Sequence, residues 1–470
     1  MKSEDALLAA WGETIARKGA APAIFDTRGA VLRTFEQIEN RSRELEHSLG
    51  GFAAGDVLAV QIGNHEDWPS WLIAFLRRKL VALPLEPGMG EQERTNALKI
   101  CSTAAVVAAP KAFGAENIEV LPMRTSATTT DWGKSRPSLL KLTSGTTAEP
   151  RAVRFRSEQL LADCNNICDT MGITDADINL AVIPVSHSYG FSNLITPLIA
   201  RGVPMVLSSD PMPRAILDDL ERSDATVFPG MPVFYQAFCE MREVPPLNRL
   251  RLCISAGAPL SLEVARKFQE KFQRPIHSFY GSSECGGICY DREGAALDAG
   301  FVGEPMQGVS LELLEPEAES SRVRVRSAAV ADGYFPKTNE EKLGHGFFIP
   351  DDLLQKSGKG FRIVGRISDV INVAGKKVNP AEVEAALLRY EGVQQAVVFG
   401  RESILRNQEV AACVVASSEV NESQLLEFCR RRLSGWQVPK QILLVRDIPV
   451  NERGKISRRD LARAFPSQTP

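Results

Sequence analysis

Five small residues in a row, Thr143, Ser144, Gly145, Thr146 and Thr147, follow an apolar run at Leu139, Leu140 and Leu142 and precede Pro150 and Arg151. A loop of this composition between two strands aims backbone N–H groups and four hydroxyls at one point, which suits an anion such as a polyphosphate. The spacing is not that of a Walker loop, whose lysine and metal-binding hydroxyl must directly follow its second glycine. The Gly454-Lys455 pair near the C-terminus lacks the upstream glycine. Alone, such a cluster is more often an ordinary surface loop, so its meaning depends on the rest of the chain.

The 470 residues are too many for one core and divide into two or three domains. A hydrophobic fraction of 44% with 24% charged residues is that of a water-soluble globular chain. A net charge of -3 argues against a dedicated nucleic-acid binder and for a small-molecule or small-protein partner. The opening MKSEDALLAAW lacks a basic stretch ahead of an apolar run, and no eighteen-residue apolar segment occurs, so a cytoplasmic location without an integral membrane segment is expected. Nine cysteines show no CxxC spacing. Cys164 with Cys168, and Cys285 with Cys289, are spaced to share a helix face, although packed, reduced thiols are the favoured reading. Five histidines without HExxH argue against catalytic zinc.

The elements that must position the loop follow from periodicity. Residues 3–18 have helical spacing at Leu7, Leu8, Trp11 and Ile15. Thr34 is placed as an N-cap with Gln37 completing a capping box. GDVLAVQIG reads as a buried strand, DWPSWLIAFLRRKL as a helix and VALPL as a strand. After the loop come a helix over 157–171 and the strand NLAVIPV, then PMVLSS, the helix PRAILDDLERS, the strand ATVFPG and the helix MPVFYQAFCEM. LRLCISAGAPLS and PIHSFYGSSECGG each run from a strand into a turn of small residues, where open α/β sheets collect ligands. LLEPEAESSRVRVRS reads as a hairpin with a solvated turn. From about 323 the strands shorten, and Pro380 starts a helix in a tail of about 100 residues with its own core. The fold expected is α/β: a large N-terminal domain, 1–366, of mixed, mostly parallel sheets flanked by helices with a smaller β subdomain, and a small mobile α+β C-terminal domain, 367–470.

Six motifs in order resemble those of the adenylate-forming superfamily, which includes acyl- and aryl-CoA synthetases, nonribosomal-peptide adenylation domains and firefly luciferase. They are TSGTTAEPRAV, SAGAPLS, YGSSECG, GFFIPDDL, GRISDVINVAGKKVNPAEVE and NERGKISR, and the resemblance spans the chain nearly end to end. It implies attack of a carboxylate on the α-phosphate of ATP, giving an acyl-adenylate and pyrophosphate. Such a site must supply positive charge and donors where negative charge builds.

By that resemblance Thr143 to Thr147 and Arg151 would hold the β- and γ-phosphates, Gly257, Ala258 and Pro259 would lie along the adenine, and Tyr280 would stack on its other face. Gly281 and Ser282 belong to the same nucleotide motif, Ser283 would reach the α-phosphate, and Glu284 would help hold Mg²⁺. Asp352 would accept from the ribose hydroxyls with Arg366 assisting, and Lys455 would bring its ammonium to the reacting oxygens. His187 is placed between the acyl pocket and the ATP site, although a histidine packed at a strand end also fits. Phe191, Phe228, Gly230, Met231 and Gly286 would wall the acyl pocket. These are apolar or lack a side chain, which points to an aryl or aliphatic monocarboxylate.

The resemblance further implies a thiol acceptor, CoA or the phosphopantetheine of an acyl carrier protein. Gly375 would line its channel, with Lys376 and Lys377 near its phosphates or exposed to solvent. A monomer or homodimer is expected. The chain departs from the family pattern at Ala148, Arg151 and Ser368, and lacks Thr-Gly before its Asp351-Asp352 pair, so the choice of Asp352 rests on alignment. Two alternatives stay open: an adenylating enzyme with an amine or alcohol acceptor, or one stopping at the adenylate; and a non-catalytic nucleotide-binding or scaffold relative.

Overall fold

The computed structural model describes residues 5–109, 118–123, 130–133, 135–143, 151–208, 210–294, 296, 298–374, 376–403, 407–449 and 457–465. Two compact units emerge. The first comprises Met1–Leu314, Val323–Pro350 and Lys356–Arg362; the second comprises Glu315–Arg322, Asp351–Gln355 and Ile363–Pro470.

In the first unit, strands Pro22–Phe25, Met205–Leu207, Asn179–Ala181, Val227–Gly230, Leu252–Ser255 and Ile276–Ser282 lie side by side in parallel. Strands Gly286–Tyr290 and Phe301–Pro305 extend this sheet antiparallel. Parallel strands need helices on their faces, and helices Pro213–Arg222, Pro232–Glu240 and Leu262–Phe272 supply apolar side chains such as Ile216, Leu217, Tyr235, Phe238 and Phe268 to its core.

A second sheet is mixed. Its order is Gly333–Phe335, Arg151–Phe155, Leu139–Thr143, Val81–Pro84, Val57–Gln61, Thr103–Ala108 and Glu119–Pro122. The strand leading into the 144–150 segment is parallel to Val81–Pro84, whereas the strand leaving it is antiparallel, pairing Leu139 with Phe155, Lys141 with Val153 and Thr143 with Arg151. Val309–Leu313, Val323–Ser327, Phe347–Phe348 and Leu343–Gly344 form a small antiparallel sheet, the β subdomain.

Local chemistry explains most boundaries. Helix Phe35–Ser48 starts at Thr34 with both capping-box bonds formed, at 2.8 and 3.1 Å, a cap worth about 1 kcal/mol. The strand expected over NLAVIPV is only Asn179–Ala181. Its continuation leaves the sheet because Asn64 binds it: Nδ2 donates to the carbonyls of Ala181 and Ile183 at 3.0 and 3.1 Å, and Oδ1 accepts from Val185 N–H at 2.9 Å. Helix Glu91–Ile100, with a weakly periodic and highly charged sequence, is an element that periodicity misses. Cys164 and Cys168 lie buried on helix Ser157–Met171, but Cys285 and Cys289 lie in a turn and a strand, so helical spacing does not apply to them.

The second unit is α+β. Strands Lys376–Val378, Ile371–Val373, Asn407–Ala416 and Val393–Ser403 lie antiparallel in that order, with Gln441–Leu444 parallel to Asn407–Ala416. Helices Pro380–Leu387 and Glu422–Arg432 cover a core of Ile371, Val383, Val398, Val410 and Leu425. Arg458 pins the last helix, Arg458–Ala464, by donating to Asp369 at 2.6 Å, Glu384 at 2.8 Å and the Val398 carbonyl at 2.9 Å.

Candidate active site

One face of the mixed sheet gathers most of the chemistry in rows. Paired residues of antiparallel strands share a face, so Thr143 and Arg151 form the row next to the 144–150 segment. Lys141, Val153 and Tyr334 form the next, and Leu139 with Phe155 a third. Thr143 Oγ1 donates to the Arg151 carbonyl at 3.3 Å, leaving the guanidinium to lie 3.8 Å from the centroid of the Tyr334 ring. Arg151 Nε is buried and finds no hydrogen-bond acceptor among the described residues, a donor suited to an anion. Ser144, Gly145, Thr146 and Thr147 lie outside the described residues.

The turn after strand Ile276–Ser282 is a hairpin rather than a crossover, with Tyr280 opposite Cys289 and Gly281 opposite Gly287. Tyr280 is buried, while Gly281 is exposed at the mouth of the hairpin. Glu284, half-buried, is held from three sides. Oε2 accepts from Ser282 Oγ at 2.9 Å, Oε1 accepts from the Tyr334 hydroxyl at 3.0 Å, and its carbonyl accepts from Ala331 N–H at 3.0 Å. Each carboxylate oxygen keeps lone pairs for a hard cation, so the group fits Mg²⁺ shared with phosphate oxygens. Among the described residues no cluster of three or more His, Cys, Asp or Glu forms a self-sufficient cation site; Mg²⁺ commonly relies on one or two carboxylates and the substrate's own phosphates.

Ser283 Oγ lies 2.9 Å from Ser188 Oγ, joining this hairpin to the His187 segment. His187 is exposed and caps the short helix Ser188–Gly190, its Nδ1 accepting from Tyr189 N–H at 3.2 Å, which in the neutral ring places the proton on Nε2. Gly190 permits the turn, since a Cβ there would sit 2.2 Å from the Pro184 carbonyl oxygen. Gly286, with φ +71, is more constrained still: a Cβ would fall 2.0 Å from Asp163 Oδ1. That carboxylate accepts from Gly287 N–H at 2.9 Å.

Gly257, Ala258 and Pro259 form an exposed turn directly after strand Leu252–Ser255, and Met231 lies beside it, 3.8 Å from where a Gly257 Cβ would be. Phe191 is buried with its ring edge-on to Trp68 at 5.8 Å. Phe228 is fully buried in a cluster with Phe234, Tyr235 and Phe238, and Gly230 leaves room for that cluster, a Cβ there meeting Phe228 at 2.7 Å. Phe228 is therefore a core residue in this structure.

In the second unit Asp352 is buried, and its Oδ1 accepts from Arg366 Nε at 2.7 Å. Lys376 Nζ lies 3.8 Å from the Trp436 ring centroid on an exposed surface. Gly375 and Lys455 lie outside the described residues. Tyr334, Asn64 and Asp163, which hold Glu284, the 181–185 segment and Gly287 in place, were not singled out by sequence reasoning. The Gly333-Tyr334 pair and the Asn64 turn carried no spacing signal, whereas Asp163 stands as an acid on the buried face of a helix, and that pattern could have exposed it.

This combination of a two-sheeted α/β unit, in which Tyr334 joins Arg151 to Glu284, with a small α+β unit fits a class of nucleotide-dependent enzyme. Residues 12–335 match the AMP-binding enzyme family and residues 382–455 its C-terminal domain, and the chain belongs to that family. It is 26% identical to a probable CoA ligase of Humulus lupulus, over 95% of each chain. It is also 26% identical to a feruloyl-CoA synthase of Amycolatopsis sp, over 93% of this chain and 95% of that one. A 3,4-dihydroxybenzoate–[aryl-carrier protein] ligase of Bacillus anthracis is 29% identical over 69% of this chain and 73% of its own. Its fold is that of ATP-bound MatB from Rhodopseudomonas palustris, with a TM-score of 0.82 at 22% identity over 97% of this chain and 98% of that one.

Proposed function

We propose that this protein activates a carboxylic acid with ATP as an acyl-adenylate and then passes the acyl group to a thiol. The observation that carries this reading is that Tyr334, on one sheet face with Thr143 and Arg151, donates to Glu284 of the neighbouring hairpin, within a chain of the AMP-binding enzyme family.

A carboxylate is a poor electrophile because oxide would have to leave. Its oxygen therefore attacks the α-phosphorus of ATP; the P–O bond to the β-phosphate breaks and pyrophosphate departs with that electron pair. Arg151 stands ready to neutralise the departing pyrophosphate, and Ser283 to donate to the α-phosphate. Glu284, aimed by Ser282 and Tyr334, would hold Mg²⁺, which supplies charge neutralisation between phosphates. Lys455 delivers an ammonium to the carboxylate and α-phosphate oxygens. Asp352, set by Arg366, accepts from the ribose. In the second step a thiol adds to the acyl carbon and AMP leaves; CoA or a phosphopantetheinyl carrier supplies it, past Gly375 and Lys376.

The acid is an aryl or aliphatic monocarboxylate, a reading supported by the apolar Phe191 and Met231 and the side-chain-free Gly286. Among the described residues no helix is long and apolar enough to cross a membrane, and the protein acts in the cytoplasm as a monomer or homodimer. The test is acid-dependent pyrophosphate release over a panel of carboxylic acids with Mg-ATP, followed by thioester formation with CoA or a pantetheinylated carrier. No release with any acid would overturn the proposal.

A further inference from the structure

A hydroxyl has one proton to give and two lone pairs to receive with. Ser283, assigned above to donate to the α-phosphate, is not β-branched, so its χ1 is free to choose among three staggered wells. Something must select the well that serves a phosphate. Its neighbour Ser282 does not, being spent on Glu284: its Oγ donates to Oε2 at 2.9 Å and accepts from the Glu284 N–H at 3.1 Å. Among the described residues the side chain that reaches Ser283 is Ser188, whose Oγ donates to Ser283 Oγ at 2.9 Å. Both serines are half-buried. With a proton received on its oxygen, Ser283 keeps its own for another acceptor, and a hydroxyl that accepts a bond gives a stronger one.

Ser188 is itself held. It follows the 182–187 segment, which residues beyond the ends of two mixed-sheet strands grip. Asn64, beyond strand Val57–Gln61, makes its three bonds to Ala181, Ile183 and Val185. Glu86, beyond strand Val81–Pro84, accepts from Ser186 Oγ at 2.5 Å. The His187 N–H closes a turn onto the Pro184 carbonyl at 3.0 Å, and the Phe191 N–H returns to the His187 carbonyl at 2.9 Å. The backbone on both sides of Ser188 is thus tied down, and its hydroxyl is a fixed point against which the hairpin serine is set.

We propose that Ser188 is a positioning residue of adenylation: its proton, given to Ser283 Oγ, fixes that side chain so that the Ser283 proton goes to the α-phosphate oxygen on which charge builds. This rests on the adenylation reading. The gain is made where negative charge develops, so it falls on the transition state rather than on bound ATP or acid. A bond that merely stitched the 182–188 segment to the hairpin would act on stability and would have no reason to act through Ser283.

The experiment is a double-mutant cycle on the full-length protein: parent, Ser188→Ala, Ser283→Ala and both together, each assayed for acid-dependent pyrophosphate release with Mg-ATP. Ser188→Ala is expected to lower kcat about tenfold with the KM values for acid and ATP near parental, since a misaimed donor costs less than the roughly hundredfold or more that losing one costs. In the Ser283→Ala background the Ser188→Ala change is expected to cost nothing further, because the group it positions is gone. Parental kcat in Ser188→Ala overturns the proposal, and so do losses that multiply in the double variant or a raised KM at unchanged kcat. If urea unfolding shows that Ser188→Ala does not fold, Ser188→Cys, with a weak donor of similar size, takes its place in the cycle. A parent that releases no pyrophosphate with any acid fails the adenylation reading, and this proposal with it. A parent that releases pyrophosphate while Ser283→Ala keeps its kcat leaves that reading standing and overturns this proposal alone.

Discussion

The Tyr334 hydroxyl donates to Oε1 of Glu284 at 3.0 Å, and the same ring carries the Arg151 guanidinium 3.8 Å above it. One side chain thus couples the proposed metal carboxylate to the Arg151 cation. Tyr334 itself is fixed by its strand, with Asp332 just before it bound through Arg156 Nε at 2.9 Å and Gln159 Nε2 at 2.9 Å.

Tyr334→Phe keeps the ring under Arg151 and removes the donor to Glu284. The Mg²⁺ concentration for half-maximal pyrophosphate release is therefore expected to rise about tenfold, the usual size for losing a group that orients a metal ligand. Tyr334→Leu removes the ring as well and is expected to raise the KM for ATP in addition. An unchanged Mg²⁺ dependence in Tyr334→Phe would show that the hydroxyl does not orient the carboxylate.

Lys455→Ala is expected to lower the rate of pyrophosphate release about a hundred- to a thousandfold, since a donor to the charge that develops is lost. Nucleotide binding, followed by displacement of a fluorescent ATP analogue, is expected to change little, because the proposed role of Lys455 is in the adenylation step and not in holding the nucleotide. Near-parental turnover would remove Lys455 from the adenylation step.

Sequence reasoning reached the motifs and the element order, because hydrophobic periodicity and turn residues are local properties. The Thr34 capping box and the 157–171 helix could be read from spacing alone. The hairpin at 281–287 could not, since nothing local distinguishes a small-residue turn that crosses a sheet from one that doubles back; long-range pairing of Tyr280 with Cys289 decides it. Phe228 resembled a pocket residue by motif, but Tyr235, Phe238 and Gly230 close around it. Lys141, within an apolar strand, gains its interest only from its burial against Phe155, 14 positions later, and Phe191.

Two glycine substitutions should move stability in opposite directions. Gly286→Ala forces a methyl into the Asp163 carboxylate at positive φ, so it is expected to cost about 1–3 kcal/mol or more and to lower the midpoint of urea unfolding. Gly12→Ala lies inside helix Ala6–Lys18 with nothing within 4 Å of its Cβ and is expected to stabilise by about 0.5–1 kcal/mol. A stable, fully active Gly286→Ala would mean that Asp163 is not where the hairpin needs that space.

Lys141 makes the stability of the protein depend on alkaline pH. Burial, the largest influence, pushes its ammonium below the ordinary 10.5, while the Asp163 and Cys285 charges pull it partly back. Between the depressed value and 10.5 the unfolded chain therefore holds the extra proton, and stability rises with pH through that window. The contribution is complete above 10.5 and is lost as pH falls through the folded value. Lys141→Met has no such group, so the stability of the variant relative to the parent is expected to be most favourable near neutrality and to decline steadily as pH rises toward 10.5. Urea unfolding of both proteins across that range measures the difference. A difference that stays flat would mean that Lys141 titrates alike in the folded and unfolded chains, and that its burial in the Phe155–Phe191 layer does not hold in solution.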